Sequence, residues 1–404
     1  MKVNINTGWF SGFCRSVGAL LALQTLIIFV VFSKFLSGQA YFAYLDIGSD
    51  SFAQVIPGTM HMVRSVLREG FSGWYFEIGL GGVPILWFVD AFAWLNLWLG
   101  EGNILPARIG IYLLKLVLGG FTCLVLLRSL MSRAEVAVLF ALVYSFCGFI
   151  IINGQWDMEA TAYVFYPLVL WACLRQLRMG QFAGYCVLPV VVAASLMGGV
   201  FFVALGVFIF WVCVLFLACN TASRVSMQRI LFQLTPLICL GYLMAAPILL
   251  PVVLQLLDTS RVVGGDSLMT HILGQGLTLN SLAILMAELG GFFHKDIFGI
   301  GSQYAGYWNY LEGPGFYIGT LSLLLIPQLW HGSPQNRRLL FIGGLILVFY
   351  CVFPFLRFMS MGFAATYFRI STLWVSLGLL LLAAFSLVRV WLNGICFLLL
   401  IVSV

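Results

Sequence analysis

The sequence predicts an all-α polytopic membrane protein, and three observations support that fold class. Of the 404 residues, 62% are apolar and only 8% are charged, whereas roughly a quarter of the residues in a soluble domain are charged. The mean hydropathy is +1.06. Apolar runs of about 20 residues, the length that crosses a bilayer, recur along the chain. A water-soluble globular protein is therefore excluded, and lipid is the main solvent of this chain.

Ten apolar segments predict transmembrane helices, and an eleventh helix is predicted to begin near residue 391, which gives about 10–11 spans. The ten segments are 17–36, 104–127, 134–153, 161–177, 182–197, 200–219, 230–254, 315–330, 339–356 and 371–388. The first segment is followed by Ser37-Gly-Gln-Ala40, as in a cleaved signal peptide. It is long enough to span the membrane, however, and we interpret it as an uncleaved first helix.

Charge determines whether two further apolar segments, 83–99 and 277–293, are predicted to cross the membrane. Cytoplasmic segments of membrane proteins carry an excess of Lys and Arg. If neither segment crosses, basic residues fall in pairs on one side of the membrane, beginning with Lys2 and Arg15. Crossing by the first segment would place Asp90 in the bilayer at roughly 3 kcal/mol, and crossing by the second would bury Glu288. Both segments are therefore predicted to be amphipathic or re-entrant.

The resulting topology is a single transmembrane domain over residues 1–404 with a cytoplasmic N-terminus. Two long extracytoplasmic loops are predicted, 37–103 and 255–314. Every Asp and Glu except Glu135 then lies on the extracytoplasmic side. Because acidic residues do not set topology, this distribution predicts that the chemistry takes place on that face. The last ten residues lie inside an apolar segment with no polar terminus, so we expect either a truncated C-terminus or an unusual final helix.

The first loop contains two acids, Asp46 and Asp50, directly after the first span. On a helix they would lie one turn apart on one face. Two such carboxylates raise each other's pKa unless a cation joins them, which suits a general base or half of a metal site for Mg²⁺ or Mn²⁺. The alternative is that one acid caps a helix and the other is solvated.

An amphipathic helix is predicted over residues 60–69, with Arg64 and Arg68 on its polar face. These arginines could contact lipid phosphates, or the helix could be an interfacial strut. Residues 79–82, Gly-Leu-Gly-Gly, follow and predict a tight turn.

Metal, disulfide and nucleic-acid sites have little support. The ten cysteines lie in or beside apolar stretches without a CxxC pair, and the histidines have no HxxxH or HxH spacing. No basic run interleaved with aromatic residues is present, so no nucleic-acid partner is predicted.

These motifs, taken together, resemble the bacterial YfhO family, which belongs to the membrane glycosyltransferases of the GT-C class. The motifs are Asp50-x-x-x-Gln54-x-x-Pro57 after the first span, Gly79-Leu-Gly-Gly82, the proline-containing segment Gly241–Arg261, Tyr317-Ile-Gly-Thr-Leu-Ser, and Tyr367-Phe-Arg369-Ile before the tenth span. The resemblance covers most of the chain. Val55 and Gly58 stand where aromatic residues are common in the family, and the long C-terminal region of the family is absent.

The resemblance implies an inverting glycosyltransferase of the bacterial inner membrane. The donor would be a polyprenyl-phosphate-linked sugar, and the acceptor a cell-envelope glycan, polymer or lipid on the extracytoplasmic face. Asp50 would be the general base. The leaving phosphate needs cations, and the candidates on the outer side are Arg261, His294-Lys295, Arg357 and Arg369. Each of these could instead form an ion pair with a nearby acid such as Asp258 or Asp296.

Further substrate contacts are expected from the polar loop residues. Gln54 belongs to the family motif, and Glu312 lies at a predicted helix start, where the helix dipole stabilises a carboxylate in any case. Asp157 and Glu159 follow the third span in Gln155-Trp-Asp-Met-Glu159, beside a Trp that could simply be an interfacial anchor.

The sequence is also compatible with two other functions, namely a transporter or flippase of lipid-linked saccharides and a non-catalytic assembly factor. Transporters place polar groups near mid-membrane, often in paired repeats. Here only Lys115 lies deep in a confident span, and no repeat is visible. The carboxylates gathered in loops favour the enzyme.

Overall fold

The computed structural model describes residues 7–44, 50–70, 90–179, 186–197, 202–219, 224–307 and 310–392. These residues form helices, turns and loops, and no β-strand occurs among them. Helical stretches long and apolar enough to cross a membrane are Ser11–Val31, Glu101–Leu130, Ala134–Asn153, Phe202–Cys219, Met227–Leu257, Pro334–Val352 and Arg369–Val390. The predicted all-α polytopic fold is therefore confirmed.

The first half of the chain forms a bundle around one long central helix. Its α-helices are α1 (Thr7–Val31), α2 (Ser33–Leu36), α3 (Ile56–Glu69), α4 (Leu95–Leu99), α5 (Ile104–Leu130), α6 (Ala134–Ser145), α7 (Gly148–Asn153), α8 (Asp157–Met179) and α9 (Val187–Leu196). A π-helical turn, Ser51–Val55, leads into α3, and a 3-10 turn, Glu101–Asn103, leads into α5. α5 packs against α6 and α8, and α1 packs across α5 and α6.

The helices of the second half of the chain are more often short or interrupted. Its α-helices are α10 (Phe202–Cys219), α11 (Arg224–Arg229), α12 (Thr235–Leu257), α13 (Leu268–Gly274), α14 (Leu282–Phe293), α15 (Thr320–Leu325), α16 (Pro334–Val352), α17 (Pro354–Ser360) and α18 (Arg369–Leu392). A π-helical turn, Ile230–Leu234, joins α11 to α12, and shorter 3-10 turns cover Lys295–Phe298, Gly301–Gln303 and Ile326–His331.

The last described helix, α18, packs against helices of both halves of the chain. It packs against α6, α7 and α8 of the first half and against α15 and the Ile326–His331 turn of the second. Leu373, Leu377 and Leu380 of α18 are buried in the main apolar core. The first residue of α18 is therefore held close to residues that lie far away in the sequence.

Three predicted spans differ from simple transmembrane helices. The segment 161–177 lies in α8, which is long enough but carries charged residues at both ends. The described part of 182–197 contains only the ten-residue α9. The segment 315–330 is interrupted, because its helix begins only at Thr320 after Gly319, whose φ of 89° is left-handed. The predicted eleventh span lies outside the described residues.

The structure describes only part of the first of the two segments predicted to be amphipathic or re-entrant, and it describes the second completely. Residues 83–89 lie outside the described part, as does the predicted turn 79–82. Segment 277–293 contains α14, which has 12 residues and is about 18 Å long, too short for a core of about 30 Å.

Asp90 and Glu288, the two acids whose charge argues against crossing, are both buried within the protein. Their exposed fractions are 2% and 1%. Each carboxylate is buried together with a cation, Lys115 at 2.8 Å from Asp90 and Arg357 at 3.5 Å from Glu288. A paired charge removes the large cost of burying an isolated one, so burial of these acids does not require either segment to cross.

The helices bring Asp50, Glu159 and Glu312 together at one end of the bundle, which we call the acidic end. It contains the C-terminal end of α1 and the first turns of α8 and α18. The opposite, basic end contains the last turn of α8, with Arg178, and the end of α11, with Arg229. At the acidic end Gly148 approaches the loop before α15 closely, donating its N–H to the Tyr317 carbonyl at 2.8 Å. A Cβ at Gly148 would lie 3.0 Å from the Gly315 carbonyl oxygen.

Candidate active site at the acidic end of the bundle

Arg369, the first residue of α18, lies among three carboxylates. Its Nη2 is 2.9 Å from Glu312 Oε1 and 3.6 Å from Asp50 Oδ2, and its Nη1 is 3.5 Å from Glu159 Oε1. The Arg369 side chain is 14% exposed. The three acids come from three separate parts of the chain: the turn before α3, the start of α8 and the loop before α15. We call these four residues together with Trp156 the Arg369 cluster.

Two aromatic rings contact the guanidinium. Its Cζ lies 3.9 Å from the ring centroid of Trp156 and 4.4 Å from that of Tyr367. Both distances are within the range of attractive cation–π contacts. The indole Nε1 of Trp156 also donates a hydrogen bond to Asp50 Oδ2 at 2.8 Å. Trp156 therefore orients Arg369 and Asp50 relative to each other.

Asp50 is held by its own turn and remains accessible. Ser51, the next residue, is buried and donates its hydroxyl to Gln155 Oε1 at 3.2 Å. Gln155 itself precedes Trp156, so the turn containing Asp50 is joined to the segment before α8 at two adjacent positions. The Asp50 side chain is 28% exposed. It is thus fixed in place yet open to a substrate hydroxyl.

Glu159 is the most deeply buried acid of the cluster. It lies in the first turn of α8, ahead of the apolar stretch 161–177, and is 0% exposed. Its Oε2 has no hydrogen-bond partner among the described residues. Burial raises the pKa of Glu159 to about 7, although the neighbouring Arg369 opposes the shift. Near neutral pH this carboxyl is therefore partly protonated, which weakens its repulsion with the other acids.

A second group of charged residues holds the segment 155–161 in place through contacts that are separate from the Arg369 cluster. Arg108 Nη2 donates to the Gln155 carbonyl at 2.7 Å, and Arg108 Nη1 lies 3.3 Å from Asp157 Oδ2. Lys115 Nζ donates to the Asp157 carbonyl and to Asp90 Oδ2, both at 2.8 Å. We call Asp90, Arg108, Lys115, Asp157 and Thr161 the Lys115 network.

Asp90 is the acid at the centre of that network. Besides Lys115, it accepts the hydroxyl of Thr161 at 2.6 Å and the backbone N–H of Phe92 at 3.1 Å, both on Oδ1. Both carboxylate oxygens are therefore hydrogen-bonded. The network fixes the start of α8, where Trp156 directly precedes the helix and Glu159 lies in its first turn.

The structure brings together three of the sequence-predicted site residues, Asp50, Glu312 and Arg369. Arg261 adjoins them through Tyr367, since its Nη2 is 3.3 Å from the Tyr367 hydroxyl and its Cζ is 5.9 Å from the ring centroid. Lys295 is buried beside the same loop, donating to the Gly313 carbonyl at 3.3 Å with its Nζ 5.0 Å from the Tyr310 ring.

The other predicted residues lie elsewhere or outside the described part. Gln54 and Arg68 are exposed on the turn and helix that follow Asp50. Arg64 forms an exposed ion pair with Glu101 rather than joining the cluster. Asp46 lies outside the described residues. Among those described, no group of three His, Cys, Asp or Glu side chains could hold a metal ion, and the Asp46–Asp50 cation site stays a prediction.

Trp156 and Glu159 are the two cluster residues that the sequence marks least clearly. Both belong to Gln155-Trp-Asp-Met-Glu159, whose Trp equally predicts an interfacial anchor. The available signal was the position of two acids directly after a predicted span. Arg357, a candidate for the phosphate, is instead buried, 3.5 Å from Glu288 and 4.1 Å from the Phe368 ring.

The family model for the bacterial membrane protein YfhO matches residues 20–285, about two thirds of the chain. Asp50 and Glu159 lie within this match, and Glu312 and Arg369 lie beyond it. No curated protein and no solved structure matches the chain. The matched length and the all-helical membrane fold lead to one conclusion: this chain belongs to the YfhO family of bacterial membrane proteins, a membership consistent with a membrane glycosyltransferase.

Proposed function

We propose that this chain is a GT-C-type glycosyltransferase whose active site is the Arg369 cluster. One observation carries the proposal: Asp50, a partly exposed carboxylate, is oriented by Trp156 and Arg369 at the end of the bundle. A carboxylate so placed can accept a proton from a bound hydroxyl. The proposed donor is a polyprenyl-phosphate sugar, and the acceptor is a hydroxyl of an envelope glycan or lipid.

The reaction we propose is a single inverting displacement. The acceptor oxygen attacks the anomeric carbon while the bond from that carbon to the phosphate oxygen breaks. The electron pair of the broken bond leaves on the polyprenyl phosphate, and the hydroxyl proton passes to Asp50. A phosphate leaving group departs as an anion, so one carboxylate base is sufficient where a glycosidase uses two.

The charge balance of the cluster assigns different roles to the two arginines. Arg369 already faces three carboxylates, so it adds little net positive charge for a phosphate. We therefore propose that Arg369 chiefly positions Asp50, which changes the sequence-based expectation that it binds the leaving phosphate. Arg261, exposed beside the Tyr367 hydroxyl, is the better phosphate contact, because among the described residues no carboxylate lies within 4.0 Å of its guanidinium, and Arg suits bidentate binding of phosphate.

The proposed function is tested by transfer from a panel of labelled hexosyl polyprenyl phosphates in vesicles containing the purified protein. The proposal expects transfer from at least one donor, a product of inverted anomeric configuration, and no transfer from sugar nucleotides. A product of retained configuration would contradict the mechanism. Movement of intact donor across the vesicle membrane without transfer would instead favour the transporter.

The proposed extracytoplasmic location of the site has a separate test. Two exposed serines offer a matched pair, Ser260 after α12 and Ser132 between α5 and α6. In a cysteine-free background, Ser260→Cys should react with an impermeant thiol reagent added to intact cells, whereas Ser132→Cys should react only after lysis. The reverse pattern would place the acidic end in the cytoplasm.

A further inference from the structure

A long apolar groove lies between four helices, away from the Arg369 cluster. Its volume is about 740 Å³, and its walls come from α8, α10, α16 and α18. Along α16 it extends from Gln335 to Tyr350, a rise of about 22 Å. This length is a large share of the roughly 30 Å hydrocarbon core. The groove could therefore hold an extended lipid chain parallel to the helices.

The groove and the candidate active site occupy different faces of α18. Ser371, Gly378 and Phe385 line the groove at seven-residue intervals and therefore share one face. Arg369 precedes Ser371 by two positions, which on a helix is a rotation of about 200°. A substrate phosphate at the Arg369 cluster would thus not direct its lipid chain into this groove, so the groove is a separate site.

Three glycines widen the groove. Gly343 and Gly344 come from α16, and Gly378 comes from α18. A Cβ added at any of the three would meet no protein atom within 4 Å. The absence of side chains at these positions keeps the space between α16 and α18 open. Glycine weakens a helix by about 1 kcal/mol relative to alanine, and no close helix contact here requires glycine.

The two ends of the groove differ in polarity. Its basic end is lined by Arg178, Arg229, Gln335 and Asn336. Arg229 Nη1 donates to the Leu177 carbonyl at 2.9 Å, which fixes this guanidinium at the mouth. Among the described residues, no carboxylate lies within 4.0 Å of the guanidinium of Arg178 or Arg229. The positive charge at this mouth is thus unneutralised by ion pairing within the described chain.

The opposite end of the groove is largely apolar. The hydroxyls of Tyr350 and Ser371 are hydrogen-bonded to each other there, and Leu356 and Trp374 complete the lining. A ligand that matches the whole groove therefore needs an anionic group at one end and an apolar chain of about 20 Å.

We propose that the groove binds an anionic glycerophospholipid, with its headgroup phosphate at Arg178 and Arg229 and one acyl chain between α16 and α18. The charge complementarity at the mouth selects an anionic lipid over a zwitterionic one. The basic end is the side predicted to be cytoplasmic, so the lipid would come from the inner leaflet. This site does not depend on the proposed transfer reaction.

The test measures lipid retained by the purified protein in detergent, by native mass spectrometry with phosphatidylglycerol and phosphatidylethanolamine of identical chains. The proposal expects at least tenfold preference for phosphatidylglycerol. Gly344→Phe should fill the groove and reduce retention at least tenfold, and Gly343→Leu should act likewise if the first variant folds poorly. Gly18→Phe is the matched control, since Gly18 is an exposed helical glycine outside the groove with nothing within 4 Å of an added Cβ. It should retain the lipid normally.

A second pair of variants separates headgroup recognition from chain binding. Arg178→Gln with Arg229→Gln should abolish the preference for phosphatidylglycerol and leave some binding of both lipids. Equal retention of the two lipids by the unmodified protein would overturn the proposal, as would unchanged retention by a folded Gly344→Phe protein. Displacement of phosphatidylglycerol by an equal concentration of polyprenyl phosphate would also overturn it and assign the groove to the donor.

Discussion

The Arg369 cluster and the Lys115 network lie on opposite sides of the same turn of α8, yet they are built differently. The side chains of Lys115 and Asp90 are 1% and 3% exposed, and the network sets two cations, Lys115 and Arg108, against the two carboxylates Asp90 and Asp157. Both oxygens of Asp90 accept hydrogen bonds. Arg369 faces three acids, and Glu159 Oε2 and Arg369 Nε lack hydrogen-bond partners among the described residues. A balanced, closed group suits a scaffold, whereas an unbalanced, partly open group suits chemistry.

The largest expected effect on folding comes from breaking the balanced group. Lys115→Met leaves Asp90 buried without its cation, and removal of one partner of a buried pair typically costs about 3–5 kcal/mol. Most of the protein should then be lost from the membrane or aggregate on extraction, as fluorescence-detected gel filtration would show.

The double variant Lys115→Met with Asp90→Leu is the matched control, because replacing both charges with apolar groups is often neutral. It should recover much of the folded protein. If Lys115→Met alone extracts as well as the unmodified protein, the Lys115 network does not stabilise the fold.

The next largest effect is on turnover, through Arg369. Arg369→Lys keeps the charge but loses the planar fork that contacts several carboxylates and stacks on Trp156. Turnover should fall at least tenfold, about 1.4 kcal/mol in barrier, while the protein level stays normal. Because the proposed phosphate contact is Arg261, the donor KM should change less than kcat. A rise in KM with normal kcat would return the phosphate role to Arg369.

The smallest expected effect is a change in pH dependence. Because burial raises the pKa of Glu159 to about 7, the folded state holds a proton that the unfolded chain releases near the ordinary glutamate pKa of about 4.3. Stability from this group is complete below the unfolded value and is lost as pH rises to about 7. The melting temperature should therefore fall by a few degrees between pH 5 and pH 8.

Glu159→Gln removes that titration, and its melting temperature should vary less over the same interval. Glu135→Gln is the control, since Glu135 is exposed on α6 and should leave the pH profile unchanged. Identical profiles for Glu159→Gln and the unmodified protein would mean that Glu159 is ionised in the folded state throughout.

The fold class and three of the five residues of the Arg369 cluster follow from the sequence for physical reasons. Apolar runs determine where helices cross lipid, and Asp50, Glu312 and Arg369 stand out because each is a charge beside a predicted span. The contact of Trp156 with Asp50 could not be predicted, since it depends on how the turn before α3 packs against the start of α8. The pairing of Lys115 with Asp90 was missed for the same reason: the cost of a buried charge was assessed without its partner.

The breaks in the helices could not be predicted from the sequence either. Residues 315–330 are apolar enough to predict a span, but Gly319 has a left-handed φ of 89° and the helix starts after it. Hydropathy measures only the preference of side chains for lipid and carries no information on where the backbone turns. Glu312 lies in the loop that precedes this helix and contacts Arg369 at 2.9 Å.

The central claim is that Asp50 is the base, and the most direct measurement is sugar transfer by Asp50→Asn with donor binding measured separately. Asn keeps the size of Asp and much of its hydrogen bonding but cannot accept the proton, so kcat should fall by about 10²–10⁴-fold while the donor Kd stays unchanged. Asp266→Asn, an exposed acid of the loop after α12, is the control and should transfer normally. If Asp50→Asn transfers sugar at the rate of the unmodified protein, Asp50 is not the base and the Arg369 cluster is not the catalytic centre.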